Sequence, residues 1–150
     1  QDKGLRCQVA PVVEGLIRVM QRIHPERRFG FAPSDEDREL LFRGEAQDLQ
    51  EMLGNLLDIA GKWARAEIRV AICADAEHVF LDIADDGPGI PAGQRDLLLQ
   101  RGQRGDERIT GSGLGLAIVD ELAGLYQGRL ELQSAPSGGL HVRLTLPRQH

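Results

Sequence analysis

The stretch Asp85-Asp86-Gly87-Pro88-Gly89 decides how the chain is interpreted, and it follows directly on a run of alternating apolar residues. An Asp that leaves a strand, with glycines two and four residues later, can point its carboxylate into a pocket where a flat ring approaches the backbone. Because a carboxylate only accepts hydrogen bonds, it would select an adenine amino group and reject the carbonyl oxygen of guanine. A Pro-Gly turn with solvated acidic side chains explains the same residues, so the motif alone leaves both interpretations open.

Helical and alternating apolar patterns on both sides of this stretch predict a single α/β domain over residues 1–150. Helices are predicted at 11–24, 46–64 and 114–125, with a short helical stretch near 96–100 inside a long loop. Strands are predicted at 67–74, 78–84, 129–133 and 140–146, and segments 28–32 and 40–43 are expected to pair as a hairpin. This order predicts a two-layer α/β sandwich, in which one mixed sheet is covered on one face by about three helices.

Composition and charge exclude several classes of function. The chain has 150 residues, 41% of them hydrophobic, and a formal net charge of -5. Non-specific nucleic-acid binding is not favoured, because it needs a basic surface. No segment approaches the length of a membrane span, so no direct membrane contact is expected. The first residue is Gln rather than Met, which suggests a fragment of a longer protein.

The two cysteines, Cys7 and Cys73, have no metal-ligand spacing. Their number suits a reducing, cytoplasmic compartment. Cys73 lies in an alternating apolar run, which predicts a small buried residue.

A second glycine-containing stretch, Gly111-Ser112-Gly113-Leu114-Gly115, opens the third predicted helix. Glycines at a helix start expose backbone N–H groups at the positive end of the helix, which suits a phosphate. The stretch also suits a flexible loop with close helix packing, and it is similar to dinucleotide-binding fingerprints. Those fingerprints require a preceding strand, whereas a long charged loop precedes here.

Four polar residues of the second predicted helix share one face because they lie three or four positions apart. They are Glu51, Asn55, Asp58 and Lys62. An Asn carbonyl oxygen can bind Mg²⁺, and a Lys can balance phosphate charge. For one helix alone, a solvated face supported by acid–Lys pairs is the simpler interpretation.

In combination, the polar helix and the two glycine-containing stretches resemble the N box, G1 box and G2 box of the GHKL superfamily of ATP-binding domains (gyrase, Hsp90, histidine kinase, MutL). Runs 51–58, 85–91 and 101–104 are most similar to sensor histidine kinases of the PhoQ type. The resemblance covers nearly the whole chain and implies the Bergerat/GHKL fold, with ATP and Mg²⁺ as cofactors. It also implies a cytoplasmic domain whose parent is an inner-membrane sensor.

The resemblance assigns roles to individual residues. Asp85 would bind the adenine amino group, and Trp63 would stack on the ring. Asn55 would hold Mg²⁺ against the phosphates, and Glu51 occupies the position of the water-activating Glu of hydrolysing relatives. The other implied residues are Gly87, Gly89 and Ile90 in the adenine pocket, Lys62 and Arg104 on phosphate oxygens, and Gly111, Gly113, Leu114 and Gly115 at the phosphate-facing end of a mobile lid over about 91–110.

One position departs from the family pattern in a way that matters for chemistry. The N box usually carries a second Asn where this chain has Ile59. Ile can neither donate to a phosphate nor support Mg²⁺. Efficient phosphotransfer is therefore in question, although adenine binding is not.

The four histidines lack the long amphipathic helical context of a phosphoacceptor; they are His24, His78, His141 and His150. We therefore expect the acceptor to lie upstream of Gln1 or on another protein, and we expect no autophosphorylation by this segment alone. The predicted function is the catalytic domain of a two-component sensor histidine kinase. It would present the γ-phosphate of ATP to a histidine on a separate dimerisation domain, and the phosphate would pass to a response regulator.

Three alternatives stay open. Ile59 favours a degenerate nucleotide-binding module without phosphotransfer. Glu51 favours another GHKL ATPase or a serine kinase. A dinucleotide-binding domain is disfavoured by the position of Asp85.

Overall fold

The computed structural model describes residues 5–89, 112–136 and 138–150. The helices in these ranges are α1 (Val9–Ile23), α2 (Ala46–Trp63) and α3 (Ser112–Leu125), and a short 3₁₀ helix spans Asp37–Glu39. The strands are β1 (Cys7–Gln8), β2 (Arg28–Phe31), β3 (Leu41–Phe42), β4 (Glu67–Ala74), β5 (His78–Asp85), β6 (Arg129–Ser134) and β7 (Leu140–Gln149). The helical stretch predicted near 96–100 lies outside these ranges.

The strands form one mixed sheet in the order β1-β3-β7-β5-β4-β2, with β6 also paired to β7. Strands β2 and β4 run parallel, and the other described pairs are antiparallel. Strand β7 pairs with β5 along 141–147, with β6 along 140–145 and with β3 at 148–149. The predicted α/β sandwich with a mixed sheet is confirmed.

Alternation along the strands decides which face of the sheet carries the core. In β4, Ile68, Val70 and Ile72 are buried against the helices, and the residues between them lie on the opposite, open face. Helix α2 packs on the covered face and contacts both α1 and α3. Its buried apolar stripe consists of Leu49, Met52, Leu53, Leu56 and Leu57. Because each such side chain contributes about 1.5–3 kcal/mol when buried, the stripe fixes the rotation of α2 and leaves polar residues such as Glu51 and Lys62 exposed.

Two sequence predictions are wrong. Segments 28–32 and 40–43 do not pair as a hairpin, because β2 pairs with β4, and β3 pairs with β1 and β7. Both strands are short, and burial of Phe42 in the core, rather than a local turn, selects the partners of β3. Cys73 is exposed rather than buried, because the alternation of β4 turns Ile72 to the core and Cys73 to the open face.

Candidate functional site

The carboxylate predicted to bind adenine lies at the end of a central strand. Asp85 is the last residue of β5, and only 4% of its surface is exposed. Its Oδ1 accepts hydrogen bonds from the backbone N–H of Gly87 at 2.8 Å and of Leu140 at 3.3 Å. Burial raises the pKa of the Asp85 carboxyl above its ordinary value, while the two N–H donors act in the opposite direction. The structure thus holds a desolvated hydrogen-bond acceptor in one orientation.

Two glycines are required around this carboxylate. A Cβ on Gly139 would lie 2.2 Å from both the carbonyl oxygen and Oδ1 of Asp85. A Cβ on Gly87 would lie 2.1 Å from the carbonyl oxygen of Trp63, the last residue of α2. Gly87 was predicted from the motif, whereas Gly139 was missed; a Gly-Gly pair just before a strand was the available signal.

Gly89, the third glycine of this region, is also at a position where a side chain would be unfavourable. Gly89 has a φ of 78°, in the left-handed region that favours glycine. Its Cβ position would lie 3.0 Å from the carbonyl oxygen of Gly138, in the turn between β6 and β7. The motif is therefore packed, backbone against backbone, between the end of α2 and this turn.

The second acid of the motif has a structural task that the sequence analysis missed. Oδ1 of Asp86 accepts hydrogen bonds from the backbone N–H groups of Arg65, Ala66 and Glu67 at 2.8, 3.0 and 3.2 Å. The bond from Ala66 is the largest influence on the pKa of Asp86 and lowers it. Burial comes second and acts in the opposite direction, but the further bonds from Glu67 and Arg65 keep the pKa below its ordinary value. Asp86 therefore ties the connection between α2 and β4 to the end of β5. The available signal was the ability of Asp to accept nearby backbone N–H groups.

The polar face of α2 meets the start of α3. Nδ2 of Asn55 donates to the carbonyl oxygen of Glu51, one turn earlier, at 2.9 Å. A Cβ on Gly115 would lie 3.3 Å from Cδ1 of Ile59 and 3.5 Å from Oδ1 of Asn55. Gly115 therefore lets α3 approach α2 closely at Asn55, the predicted metal ligand, and at Ile59, the residue that departs from the family pattern. Ile59 is only 7% exposed, so it acts as a packing residue at this junction.

The amide of Asn55 fits a magnesium ion whose other ligands come mainly from phosphate. Its nitrogen is bonded to the helix backbone, and its Oδ1 lies toward the start of α3. Mg²⁺ prefers oxygen ligands and, in nucleotide sites, takes only one or two of them from protein. In the described part of the chain, no group of three His, Cys, Asp or Glu residues is placed to hold a metal by itself.

The other predicted site residues are distributed as follows. Lys62 lies in the last turn of α2, where its Nζ is 3.4 Å from Oδ2 of Asp58. Glu51 is exposed on α2, and Trp63 is half-buried at its end. Gly113 and Leu114 lie in the first turn of α3. The predicted residues Ile90, Arg104 and Gly111 and the predicted lid over 91–110 lie outside the described residues.

The chain is similar in sequence and in fold to proteins of one family. Residues 44–150 match the family described as histidine kinase-, DNA gyrase B-, and HSP90-like ATPase. The chain is 49% identical over 105 residues to the sensor protein kinase CarS of Pseudomonas aeruginosa, a match that covers 70% of this chain and 24% of that protein. It is 32% identical over 142 residues to the sensor protein PhoQ of Escherichia coli, with coverage of 95% and 29%. The solved structure of the mycobacterial sensor histidine kinase MprB has a TM-score of 0.82 and 27% identity, and the match covers 96% of this chain and 97% of that chain.

The chain belongs to the histidine kinase-, DNA gyrase B- and HSP90-like ATPase family. Within this family it is a histidine kinase-type ATP-binding catalytic domain, homologous to the sensor kinases CarS and PhoQ. It spans about a quarter of the length of the curated relatives that it matches. None of the helices among the described residues is long and apolar enough to cross a membrane.

Proposed function

We propose that the domain binds ATP with the adenine amino group on Asp85 and with the phosphates between α2 and the start of α3. The observation that carries the proposal is the buried carboxylate at the end of β5, held by backbone N–H groups of Gly87 and Leu140. An adenine amino group can donate to such an acceptor. The carbonyl oxygen of guanine would instead face it with a second acceptor, which is costly in a buried site.

At the other end of the nucleotide, we assign Mg²⁺ to Asn55 and phosphate oxygens to Lys62 and Arg104. The glycines at the start of α3 would leave backbone N–H groups open to the phosphates at the positive end of the helix. The bound metal would supply charge neutralisation on the phosphates. The protein's share of phosphoryl transfer would then be to orient the γ-phosphate and to exclude competing geometries.

In the parent protein, the domain would present the γ-phosphate to a histidine on a separate dimerisation domain of the same kinase. The phosphate would then pass to a response regulator. Residues 1–150 would form one catalytic domain on the cytoplasmic side of an inner-membrane sensor. The support for these partners is the likeness to CarS and PhoQ, whose names describe sensor proteins.

Calorimetric titration with ATP and Mg²⁺ tests the adenine contact directly. In Asp85→Asn the side chain keeps its shape, but its amide group would oppose the adenine amino group with a donor, so we expect affinity to fall by about 10-fold or more. Asp82→Asn is the matched control, because Asp82 lies on the same strand and pairs with His141 and Arg143 on the open face. Equal affinity of the wild type and Asp85→Asn would contradict the proposal.

A second candidate function is nucleotide binding without phosphotransfer. The observation that favours it is the buried Ile59 against Gly115, beside the proposed metal ligand. The test joins the domain to its histidine-bearing domain and measures phosphohistidine formed from labelled ATP. Bound ATP with no phosphohistidine would favour this candidate, and ATP hydrolysis that disappears in Glu51→Ala would favour an ATPase.

A further inference from the structure

A His–Asp pair joins the end of α1 to the polar face of α2. His24 follows the last residue of α1, and its backbone N–H donates to the carbonyl oxygen of Met20 at 2.8 Å. Nε2 of the His24 ring lies 2.8 Å from Oδ1 of Asp58, and the His24 side chain is only 14% exposed. Because a carboxylate accepts but does not donate, Nε2 carries the proton and donates to Asp58.

The second oxygen of Asp58 lies next to a lysine. Oδ2 of Asp58 is 3.4 Å from Nζ of Lys62, one helical turn later. The Lys62 side chain is 55% exposed, and a long exposed side chain is held only weakly by an acid that is itself mobile. A carboxylate already fixed by His24 is a better anchor, because its second oxygen then points in one direction.

The surrounding residues make room for this contact. A Cβ on Gly61 would lie 2.5 Å from Cδ2 of the His24 ring, so the imidazole occupies the space that a side chain at position 61 would fill. Glycine inside a helix is less favourable than Ala, so its presence in α2 serves a packing need. Nε of Arg27 donates to the carbonyl oxygen of Gly61 at 2.9 Å. The segment after α1 therefore holds the last turn of α2 at two points.

The direction of Lys62 matters because of its place on the helix. Lys62 lies seven residues after Asn55, so two turns of α2 bring both side chains to nearly the same line. Asn55 is the residue at which Oδ1 faces the start of α3. A cation held on this line lies along the path that the phosphates would follow.

We propose that His24 is a positioning residue, which acts through Asp58 to hold the ammonium group of Lys62 beside the phosphates of bound ATP. This inference rests on the proposed function. Without the imidazole, Asp58 can rotate and Lys62 loses its fixed direction. Recognition of the phosphates then weakens, whereas recognition of adenine by Asp85 does not change.

The experiment measures the affinities of ATP and of adenosine for the wild type, His24→Ala and His24→Gln. For His24→Ala we expect ATP to bind about 3- to 10-fold more weakly, while adenosine affinity stays within about twofold, because adenosine has no phosphates. His24→Gln should restore most of the ATP affinity, since its amide N–H can donate to the same carboxylate oxygen. A purely structural role would weaken both ligands equally, and that outcome would overturn the inference.

Two further variants distinguish loss of the His24–Asp58 contact from loss of an imidazole side chain in general. Gly61→Ala keeps His24 but displaces its ring, so it should reproduce the selective loss of ATP affinity. The matched control is His141→Ala, which breaks a His–Asp pair of 2.7 Å with Asp82 on the open face of the sheet. This control should leave ATP affinity unchanged; an equal loss in His141→Ala would contradict the specific role of His24.

A double-mutant cycle with Lys62→Ala completes the test. If His24 acts through Lys62, the double variant His24→Ala/Lys62→Ala should bind ATP no more weakly than Lys62→Ala alone. Additive losses would overturn the inference. The wild type and Asp85→Asn serve as the reference. If neither protein binds ATP, the proposed function itself fails. If ATP binding needs Asp85 but is unchanged in His24→Ala, only the positioning role of His24 is contradicted.

Discussion

The two ends of the candidate site are built in different ways. The adenine end, defined by Asp85, Asp86, Gly87 and Gly139, is held by backbone N–H groups and by glycines that no side chain can replace. The phosphate end, defined by Asn55, Ile59, Lys62 and Gly115, depends on side chains of α2. Asn55 and Ile59 lie beside Gly115 at the start of α3, and Lys62 lies beside Asp58.

This difference explains where the chain can depart from its family. At the adenine end, a change would collide with backbone atoms or leave a buried carboxylate without its donors, so the geometry is fixed by the fold. At the phosphate end, Ile59 replaces a polar residue and still packs well against Gly115. We therefore expect nucleotide binding and phosphotransfer to be separable in this domain, and changes at the two ends to have different consequences.

Gly139→Ala is the strongest test of the adenine end. The added Cβ would meet two atoms of Asp85 at 2.2 Å, one of them in the backbone, so the strand end must move. We expect the free energy of unfolding to fall by about 3 kcal/mol, together with loss of ATP binding, measured by urea denaturation and calorimetry. Gly124→Ala is the control, since no atom of the described residues, apart from its chain neighbours and the adjoining backbone of α3, lies within 4 Å of its Cβ position. If Gly139→Ala and Gly124→Ala changed stability and ATP binding to a similar extent, the adenine end would not be fixed by the fold in the way described above.

Ile59→Asn addresses the phosphate end. Burying an amide in place of an apolar side chain should lower the free energy of unfolding by about 2 kcal/mol. The same amide would lie beside Asn55, so we expect ATP affinity to depend more strongly on Mg²⁺ than in the wild type. Ile59→Val, which keeps the packing, should lower stability by about 1 kcal/mol without any change in the effect of Mg²⁺. Loss of all nucleotide binding in Ile59→Asn would contradict the separation of binding from phosphotransfer.

Asp86→Ala tests the structural acid of the adenine end. Loss of its backbone hydrogen bonds should lower stability by about 1–2 kcal/mol at neutral pH. The pKa of Asp86 is lowered in the folded state. Its contribution is therefore present above the unfolded value of about 3.9 and is lost as the pH falls through the lower folded value. Thermal unfolding of both proteins across the acid range should show the difference shrinking below about pH 4. In the exposed position Asp35, the same substitution should change little.

Asp85→Asn should have the smallest effect on stability, and of the opposite sign. Burial raises the pKa of Asp85 in the folded state. Its ionised form therefore costs stability, and this cost grows as the pH rises through the folded value and vanishes below the unfolded one. At neutral pH and in the absence of ATP, we expect a slightly higher Tm for Asp85→Asn than for the wild type. A marked fall in Tm would mean that the carboxylate serves the fold rather than the nucleotide.

The regular elements around the site could be predicted from the sequence because their patterns are long and consistent. Strand β4 was predicted at its observed bounds, and β5 and α2 were each predicted to within one residue. The short strands were not predictable in the same way. A two-residue strand such as β1 is too short to show an alternating apolar pattern. Strands β2 and β3 pair with strands that lie far away in the sequence.

The residues of the candidate site differ in the same way in how strongly the local sequence indicates them. Asp85, Gly87 and Gly115 could be proposed as site residues because the two glycine-containing motifs carry the signal. The roles of Gly139 and Asp86 were missed, because the backbone atoms that they contact lie far away in the sequence, at Asp85 and at 65–67. The contact of His24 with Asp58 was likewise missed, since it depends on how α1 packs against α2.

The most direct measurement is a calorimetric comparison of ATP and GTP binding to the wild-type domain in the presence of Mg²⁺. The two ligands share their phosphates and differ at the base, so the comparison isolates the contact with the buried Asp85. We predict that ATP binds at least about 10-fold more tightly than GTP, and that Asp85→Asn removes this preference. Equal binding of ATP and GTP, or binding of neither by the folded domain, would contradict the assignment of Asp85 as the adenine-recognising residue.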